Sequence, residues 1–182
     1  MESTDQLYQE LREHMDNQAV GFPATSSGVE LRILKELFTP EQARLALNVT
    51  YQPQSSREIY EKVRPAGISP EKVTQLLNEM VRNGAITLRE ANGTEEYFTM
   101  PLLVGIVEMH AAKATPQFFA DLGVYMNAEF GKTFAGTKVS QMRTIPVEKS
   151  ITVEHHVAIY DDVREMIRSC DGPIVINRCL CR

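Results

Sequence analysis

Residues 69–100, SPEKVTQLLNEMVRNGAITLREANGTEEYFTM, decide the fold of this 182-residue chain. The Ser-Pro start is typical of a capped helix, and a glycine at position 84 is typical of a helix end. The apolar residues between them recur at helical spacing: Val73, Leu76, Leu77, Met80 and Val81. Beyond Gly84, apolar residues alternate on both sides of Asn92-Gly93, a dipeptide typical of tight hairpin turns. The stretch therefore predicts an amphipathic helix followed by a β-hairpin.

Two shorter helices are predicted before this stretch. The segment TPEQ at residues 39–42 combines an N-cap threonine, a proline at the first helical position and a glutamine that can reach back to the cap. The segment SSREIYEKV at residues 55–63 predicts a second helix. Three helices followed by a two-stranded wing is the order of a winged helix. We therefore predict a winged-helix-like domain over residues 39–100.

The remaining segments complete an α+β, mostly helical fold class. Residues 1–38 are predicted to form helices that pack on the winged unit. The first of them has Leu7, Leu11 and Met15 four residues apart, which predicts an amphipathic helix with a narrow apolar stripe. Residues 101–131 are predicted to form a helical hairpin, made of a buried apolar helix over 101–113 and a second helix from Thr115-Pro116 to Gly131.

Residues 132–182 are predicted to form a small α/β unit that ends at a C-x-C segment. A loop comes first, followed by a strand at 156–160, a helix at 161–170 capped by Asp161 or Asp162, and a strand at 172–179. This order is that of a minimal βαβ crossover.

Composition and charge limit the class of protein. Hydrophobic residues make up 43% and charged residues 24% of the chain, ordinary values for a globular protein. No apolar run approaches the length of a membrane span, and the first twenty residues carry five acidic side chains instead of an apolar signal core. A cytoplasmic location without a membrane span is the expectation.

The charge of the predicted recognition helix does not favour nucleic acid binding. Residues 1–100 hold 10 Lys and Arg against 15 Asp and Glu. The polar face of the helix over 70–83 sums to zero charge, whereas a helix that reads DNA needs basic side chains for phosphate contacts. The basic cluster of this region is confined to Arg57, Lys62 and Arg64. Protein contacts or a scaffold role are therefore predicted for the winged unit.

The three cysteines, Cys170, Cys179 and Cys181, all fall in the last thirteen residues. An odd number of cysteines without an export signal indicates reduced thiols, which are candidate metal ligands with ordinary buried thiols as the alternative. His155 and His156 are adjacent on a segment predicted to be extended, so they point to opposite faces and do not suit one ion. His110, at the end of an apolar helix, is predicted to be a core or boundary residue. No catalytic triad can be assembled, and nothing in the sequence compels an enzyme.

Several stretches in order resemble the N-terminal region of prokaryotic 4Fe-4S ferredoxin-type proteins. The resemblance covers roughly residues 30–182 and rests on four stretches: LKELFTPEQARLAL (34–47), the predicted winged unit ending YFTMPLLVGIVEM (97–109), FGKTFAGTKVSQMRTIPV (130–147) and IVINRCLCR (174–182). In that family, a winged-helix-like region precedes a cysteine-rich segment that opens with C-x-C-R, and a ferredoxin module follows. Cys179, Cys181 and Arg182 match that opening, whereas the ferredoxin run C-x2-C-x2-C-x3-C-P is absent.

The resemblance implies that the chain is the N-terminal scaffold and partner-docking portion of an electron-transfer protein whose cluster module lies beyond Arg182. Cys179 and Cys181 are the candidate iron-sulfur ligands, with Cys170 as a further candidate. No cluster is expected to bind this chain stably, because a 4Fe-4S cluster usually takes four thiolates. A natural short form that has lost its cluster is the alternative for the chain end.

The implied partner is a redox protein, and the parent protein would be an electron carrier or a component of an oxidoreductase. The sequence leaves the oligomeric state open. The alternative function is a winged-helix transcriptional regulator that senses metal or redox state through Cys170, Cys179 and Cys181.

Overall fold

The structure is a computed structural model that describes residues 3–18, 20–136, 160–172 and 174. The described residues up to 136 belong to one compact unit, and those from 160 onward belong to a second. The fold is α+β and mostly helical, with a small three-stranded antiparallel sheet, which confirms the predicted class.

The first unit contains most of the regular structure. In chain order its helices and strands are α1 (Thr4–Asp16), α2 (Val29–Leu37), α3 (Pro40–Ala46), β1 (Gln54–Ser55), α4 (Ser56–Val63), α5 (Pro70–Asn83), β2 (Thr87–Ala91), β3 (Thr94–Phe98), α6 (Val107–His110), α7 (Pro116–Asn127) and α8 (Glu129–Gly136). A 3-10 turn, Arg64–Ala66, extends α4, and a π-type turn, Leu102–Ile106, precedes α6.

A side-chain cap begins α3 where the sequence predicts it, and a second cap, not predicted from the sequence, begins α4. The backbone N–H of Gln42 donates to the Thr39 hydroxyl at 3.3 Å, and the Thr39 N–H donates to the Gln42 side-chain oxygen at 3.1 Å. Ser55 and Glu58 make the same reciprocal pair at the start of α4. Each box satisfies two backbone donors that the first helical turn leaves without partners, which explains why the helices start at these residues.

The sheet is built on the predicted hairpin. Asn92 and Gly93 take φ values of 53° and 74°, as a two-residue turn of the hairpin type requires. Strand β3 lies between β2 and β1, with Leu88 opposite Tyr97 in one pair and Gln54 opposite Tyr97 in the other. The Tyr97 hydroxyl lies 2.9 Å from Asn78 Oδ1, so the buried ring ties the hairpin to α5.

The core of the first unit collects the apolar faces of its helices. The apolar stripe predicted for the N-terminal helix is confirmed, since Leu7, Leu11 and Met15 of α1 are all buried. Tyr8 is buried beside them, and its hydroxyl donates to the Phe38 carbonyl oxygen at 2.6 Å. Helix α1 contacts both α2 and α3.

The prediction of a single helix over residues 101–113 is wrong. Leu103 is extended, with φ −97° and ψ 145°, and Val104 has a φ of 58°, so the α-helix is confined to Val107–His110. The Glu108 carboxylate accepts a hydrogen bond from the Gly105 N–H at 2.8 Å and thereby caps the start of this short helix from within. An apolar run alone does not distinguish a continuous helix from a buried turn, which is why the prediction failed.

The helix predicted from Thr115-Pro116 to Gly131 is also not continuous, because the structure has two helices there. Helix α7 ends at Asn127, Ala128 leaves the helical region with φ −95° and ψ −133°, and α8 then runs through Gly131. A Cβ atom at Gly131 would lie 2.1 Å from the Met126 carbonyl oxygen. The glycine therefore permits a close backbone approach at the corner and does not end a helix.

The second unit contributes helix α9 (Tyr160–Arg168). The predicted helix is present, but it begins at Tyr160, so Asp161 and Asp162 lie in its first turn and do not precede it as caps. Tyr160, which was predicted to end a strand, is correspondingly helical. The two strands predicted around α9 otherwise fall mainly outside the described residues, as do His155 and His156. Within the described ranges, no helix has the combination of length and apolar character that crossing a membrane requires.

Candidate functional site

The predicted thiol site is described at one of its three positions. Cys170 follows the end of α9, and it is exposed and free of any disulfide. Cys179 and Cys181 lie outside the described residues. Among the residues that the structure describes, no three His, Cys, Asp or Glu side chains lie close enough together to hold a metal ion. With three cysteines in the chain, the donor set does not fit a complete 4Fe-4S site, which takes four thiolates.

Helix α5, predicted as the recognition helix, turns its charged side chains toward partners within the protein. Lys72 Nζ lies 3.2 Å from the Glu41 carboxylate of α3. Glu79 accepts from Gln75 at 2.8 Å, a hydrogen bond that lowers the Glu79 pKa and keeps this carboxylate ionised at neutral pH. Arg82 donates back to the Asn78 carbonyl oxygen at 3.3 Å. The cations Lys72 and Arg82 of this helix are therefore each held by a partner within the protein.

The hairpin adds negative charge beside this helix. Its one basic residue, Arg89, pairs with Glu96 on the adjacent strand at 2.7 Å. Glu90 and Glu95 lie directly opposite each other on the same two strands. Burial and the neighbouring Glu95 carboxylate raise the pKa of Tyr97 to about 12, so this hydroxyl stays neutral. Phosphate contacts by the hairpin would meet like charge.

His110 occupies a joint between helices. Its side chain is 3% exposed, its Nδ1–H donates to the Asn83 carbonyl oxygen at 2.7 Å, and its ring packs 5.0 Å from that of Phe118. Nε2 lies 3.6 Å from Glu36 Oε1 and has no hydrogen-bond partner among the described residues. The predicted core position is therefore confirmed, and the burial of this ring makes a role in binding an external ligand unfavourable.

An open groove of about 520 Å³ lies between α3 and the end of α4, and we call it the α3–α4 groove. Its floor is apolar and is formed by Leu45, which is buried, and by Val63 and Ile68, which are half-buried. The outer wall is the exposed 65–67 segment. Gly67 has a φ of 74° and nothing within 4 Å of where a Cβ would be, so it reverses the chain after α4 without closing the groove.

Cationic side chains reach the rim of the α3–α4 groove. Arg44 and Lys62 line it together with one acidic residue, Glu41, which pairs with Lys72. Lys62 Nζ contacts the Asn48 carbonyl oxygen at 3.3 Å, and in the described part of the chain no carboxylate lies within ion-pair distance of it. An apolar floor beside a cation can hold an apolar side chain that has a carboxylate next to it.

The sequence pointed to part of this groove. Lys62 belongs to the basic cluster noted in the sequence, but Arg57 of the same cluster lines a different depression, with Tyr60 and Thr74. The floor residues were missed because the groove forms only when α3 and α4 both pack on α5. The signal that could have found it is Gly67 directly after a short helix, which predicts a reversal of the chain there.

The volume of the α3–α4 groove lies within the range typical of ligand sites. Its lining residues all belong to residues 41–68, inside the span predicted from sequence as a winged-helix-like domain. Comparison of the chain with protein-family models, with curated proteins and with solved structures found no match.

Proposed function

We propose that this chain is the N-terminal scaffold and partner-docking portion of a 4Fe-4S ferredoxin-type electron-transfer protein, with the cluster module following Arg182. One observation carries the proposal: helices and strands in a winged-helix-like order are followed, later in the chain, by a C-x-C-R segment. The order α3, β1, α4, α5, β2, β3 supports the winged-helix-like part. The exposed, free Cys170 thiol supports reduced cysteines in this part of the protein.

In this proposal the cysteines of the chain supply part of a ligand set. Cys179 and Cys181 would open the cysteine-rich segment, and further cysteines from beyond Arg182 would complete it. The cluster supplies one-electron transfer when it is bound. The residues described above hold the module and dock its redox partner.

Anaerobic reconstitution with iron and sulfide tests the proposal. We expect a chain extended to the end of its reading frame to turn brown, with visible absorption and bound iron, while the chain of residues 1–182 stays colourless. Replacing Cys179 and Cys181 by serine in the extended chain is the matched control and should lower the iron content. A reading frame that ends at Arg182, or an extended chain that stays free of iron, would overturn the proposal.

The alternative, a winged-helix regulator with a thiol sensor, receives less support from the surface charges. Lys72 of α5 and Arg89 of the hairpin each pair with a carboxylate, and Arg82 of α5 donates to a backbone carbonyl oxygen. We therefore expect no binding of a random DNA duplex even at low salt, as measured by fluorescence anisotropy. Binding that weakens steeply as salt rises would favour the regulator instead.

A further inference from the structure

We infer that the α3–α4 groove docks an acidic amphipathic segment of a partner protein, with an apolar side chain on the floor and a carboxylate at Lys62. The inference deepens the proposed docking role and rests on it. The observations that carry it are the shape of the groove, the chemistry of its floor and the distribution of charge around its rim.

The floor of the groove is suited to one or two apolar side chains. Leu45 is 3% exposed and belongs to the core, and Val63 and Ile68 are partly buried side chains that pack against the same core. The groove is open to solvent along the exposed 65–67 segment, so a segment of another protein can enter without rearrangement of the fold. Covering these apolar side chains provides the favourable free energy of docking.

Charge selects an acidic segment. Residues 1–100 are acidic overall, with 15 Asp and Glu against 10 Lys and Arg, yet the two cations that line the groove outnumber its single carboxylate. That carboxylate, Glu41, lies 3.2 Å from Lys72 Nζ and is partly neutralised. The charge of the rim is therefore opposite in sign to the net charge of residues 1–100. Complementary charge on a partner would fix the register in which it docks.

The carboxylates closest to Lys62 in sequence have nearer partners than Lys62. Glu58, one turn earlier on α4, accepts from both the N–H and the hydroxyl of Ser55 at 2.7 Å. Glu61 lies 3.7 Å from the Arg64 guanidinium. The Lys62 ammonium group is held near the groove by a backbone carbonyl oxygen, and its charge also acts on Glu58 one turn earlier. No carboxylate of the described residues lies within ion-pair distance of it, so it can pair with a carboxylate from outside.

A peptide titration on the 182-residue chain tests the inference. The probe is a fluorescein-labelled twelve-residue helical peptide with leucines on one face and glutamates on the other, and its counterpart carries lysine in place of every glutamate. We expect the glutamate peptide to bind in low salt, more weakly as salt rises, and the lysine peptide not to bind. Amide shifts in NMR spectra of the labelled chain should concentrate at Ala66, Gly67 and Ile68.

Three variants separate the groove from general charge attraction. Lys62→Glu should weaken binding about tenfold, because a rim attraction becomes a repulsion. Arg57→Glu makes the same change in charge on the same helix but outside the groove, and it should change the affinity less than about twofold. Ala66→Trp fills the groove without changing the charge and should also weaken binding about tenfold. Circular dichroism checks that each variant folds.

Three outcomes would overturn the inference: no binding of the glutamate peptide at low salt, tighter binding of the lysine peptide, or equal weakening by Lys62→Glu and Arg57→Glu. Because no iron is present in these titrations, their result stands apart from the reconstitution of the extended chain. A result that overturns peptide docking in the groove is thus distinguishable from one that overturns the iron-sulfur proposal.

Discussion

Replacing Gly84 by alanine is expected to lower the free energy of unfolding by about 3 kcal/mol or more. Gly84 ends α5 with a φ of 79°, and its N–H faces the carbonyl oxygens of Met80 and Val81. A Cβ at this position would lie 2.6 Å from the His110 backbone nitrogen and 2.6 Å from the Met109 carbonyl carbon. These are backbone atoms that cannot rotate away, so α5 and α6 would have to move apart.

Gly67→Ala is the matched control for this prediction. Gly67 also ends a helical turn, with a φ of 74°, but nothing lies within 4 Å of where its Cβ would be. Gly67→Ala therefore introduces the strain of a left-handed backbone without a clash of the new Cβ. It should lower the free energy of unfolding by about 1 kcal/mol. Urea denaturation followed by far-ultraviolet circular dichroism measures both variants. Equal losses would show that the close approach of α5 and α6 contributes nothing.

The contact at Gly84 belongs to a joint that connects three helices. Asn83 donates from its side chain to the Leu37 carbonyl oxygen at 2.7 Å and accepts from His110 at its own carbonyl oxygen. The end of α5 is thereby bonded to the ends of both α2 and α6. A shift of the backbone at Gly84 would strain these hydrogen bonds together, which makes the expected loss larger than strain at a single residue.

The parts of the fold that could be predicted from sequence depend on local signals. The capping box of Thr39 and Gln42 fixes the start of α3 through contacts three residues apart, and Asn92-Gly93 fixes the hairpin through its own backbone preference. Such features need no knowledge of the rest of the chain. The apolar stripe of α1 was predictable for the same reason, since its spacing alone defines one face.

The parts that could not be predicted depend on packing between distant residues. Nothing local marks Val104 for a φ of 58°, a conformation that a β-branched residue rarely adopts. The corner at Ala128 likewise permits Phe130 to be fully buried, 5.2 Å from the Tyr125 ring. Periodicity within an apolar run contains no information about where the chain turns to bury both ends.

Of the candidate site, only the basic residues could be predicted from the sequence. The sequence located Lys62 in a basic cluster, but only the packing of α3 and α4 on α5 shows which neighbours it has and that Arg57 lies elsewhere. The cysteines, by contrast, were found through residue type and spacing, and Cys170, the one of them that the structure describes, is exposed and in no disulfide. Residue type therefore indicated the chemistry of the thiols, whereas the α3–α4 groove could be found only once the fold was known.

Removing the charge of Asp121 is expected to lower the free energy of unfolding by about 2 kcal/mol. Asp121 on α7 accepts from the Arg32 guanidinium of α2 at 2.7 Å and 3.1 Å, and Gln117 donates to the same carboxylate at 3.1 Å. The Asp121 side chain is 7% exposed, whereas that of Arg32 is 51% exposed. In Asp121→Asn the guanidinium can return to water, so the loss stays below that of a fully buried pair.

Asp5→Asn is the matched control for Asp121→Asn. Asp5 pairs with Lys35, also on α2, at 2.7 Å, but the Asp5 side chain is 74% exposed. An ion pair in that setting contributes little, so we expect a change in stability close to the error of a urea titration. A loss as large as that of Asp121→Asn would mean that burial of the α7 carboxylate is irrelevant to its contribution.

The contribution of Asp121 is also expected to depend on pH. The hydrogen bond from Arg32 lowers the pKa of Asp121 below its ordinary value, so the folded state releases the proton more readily than the unfolded state. The stabilisation is therefore fully present above the unfolded pKa of about 3.9 and is lost as pH falls through the lower folded pKa. The difference in unfolding free energy between the unsubstituted chain and Asp121→Asn should shrink as pH falls from about 5 to 2, since asparagine does not titrate. Urea titrations at several pH values measure this difference, and a value that stays constant with pH would contradict the coupling of this ion pair to folding.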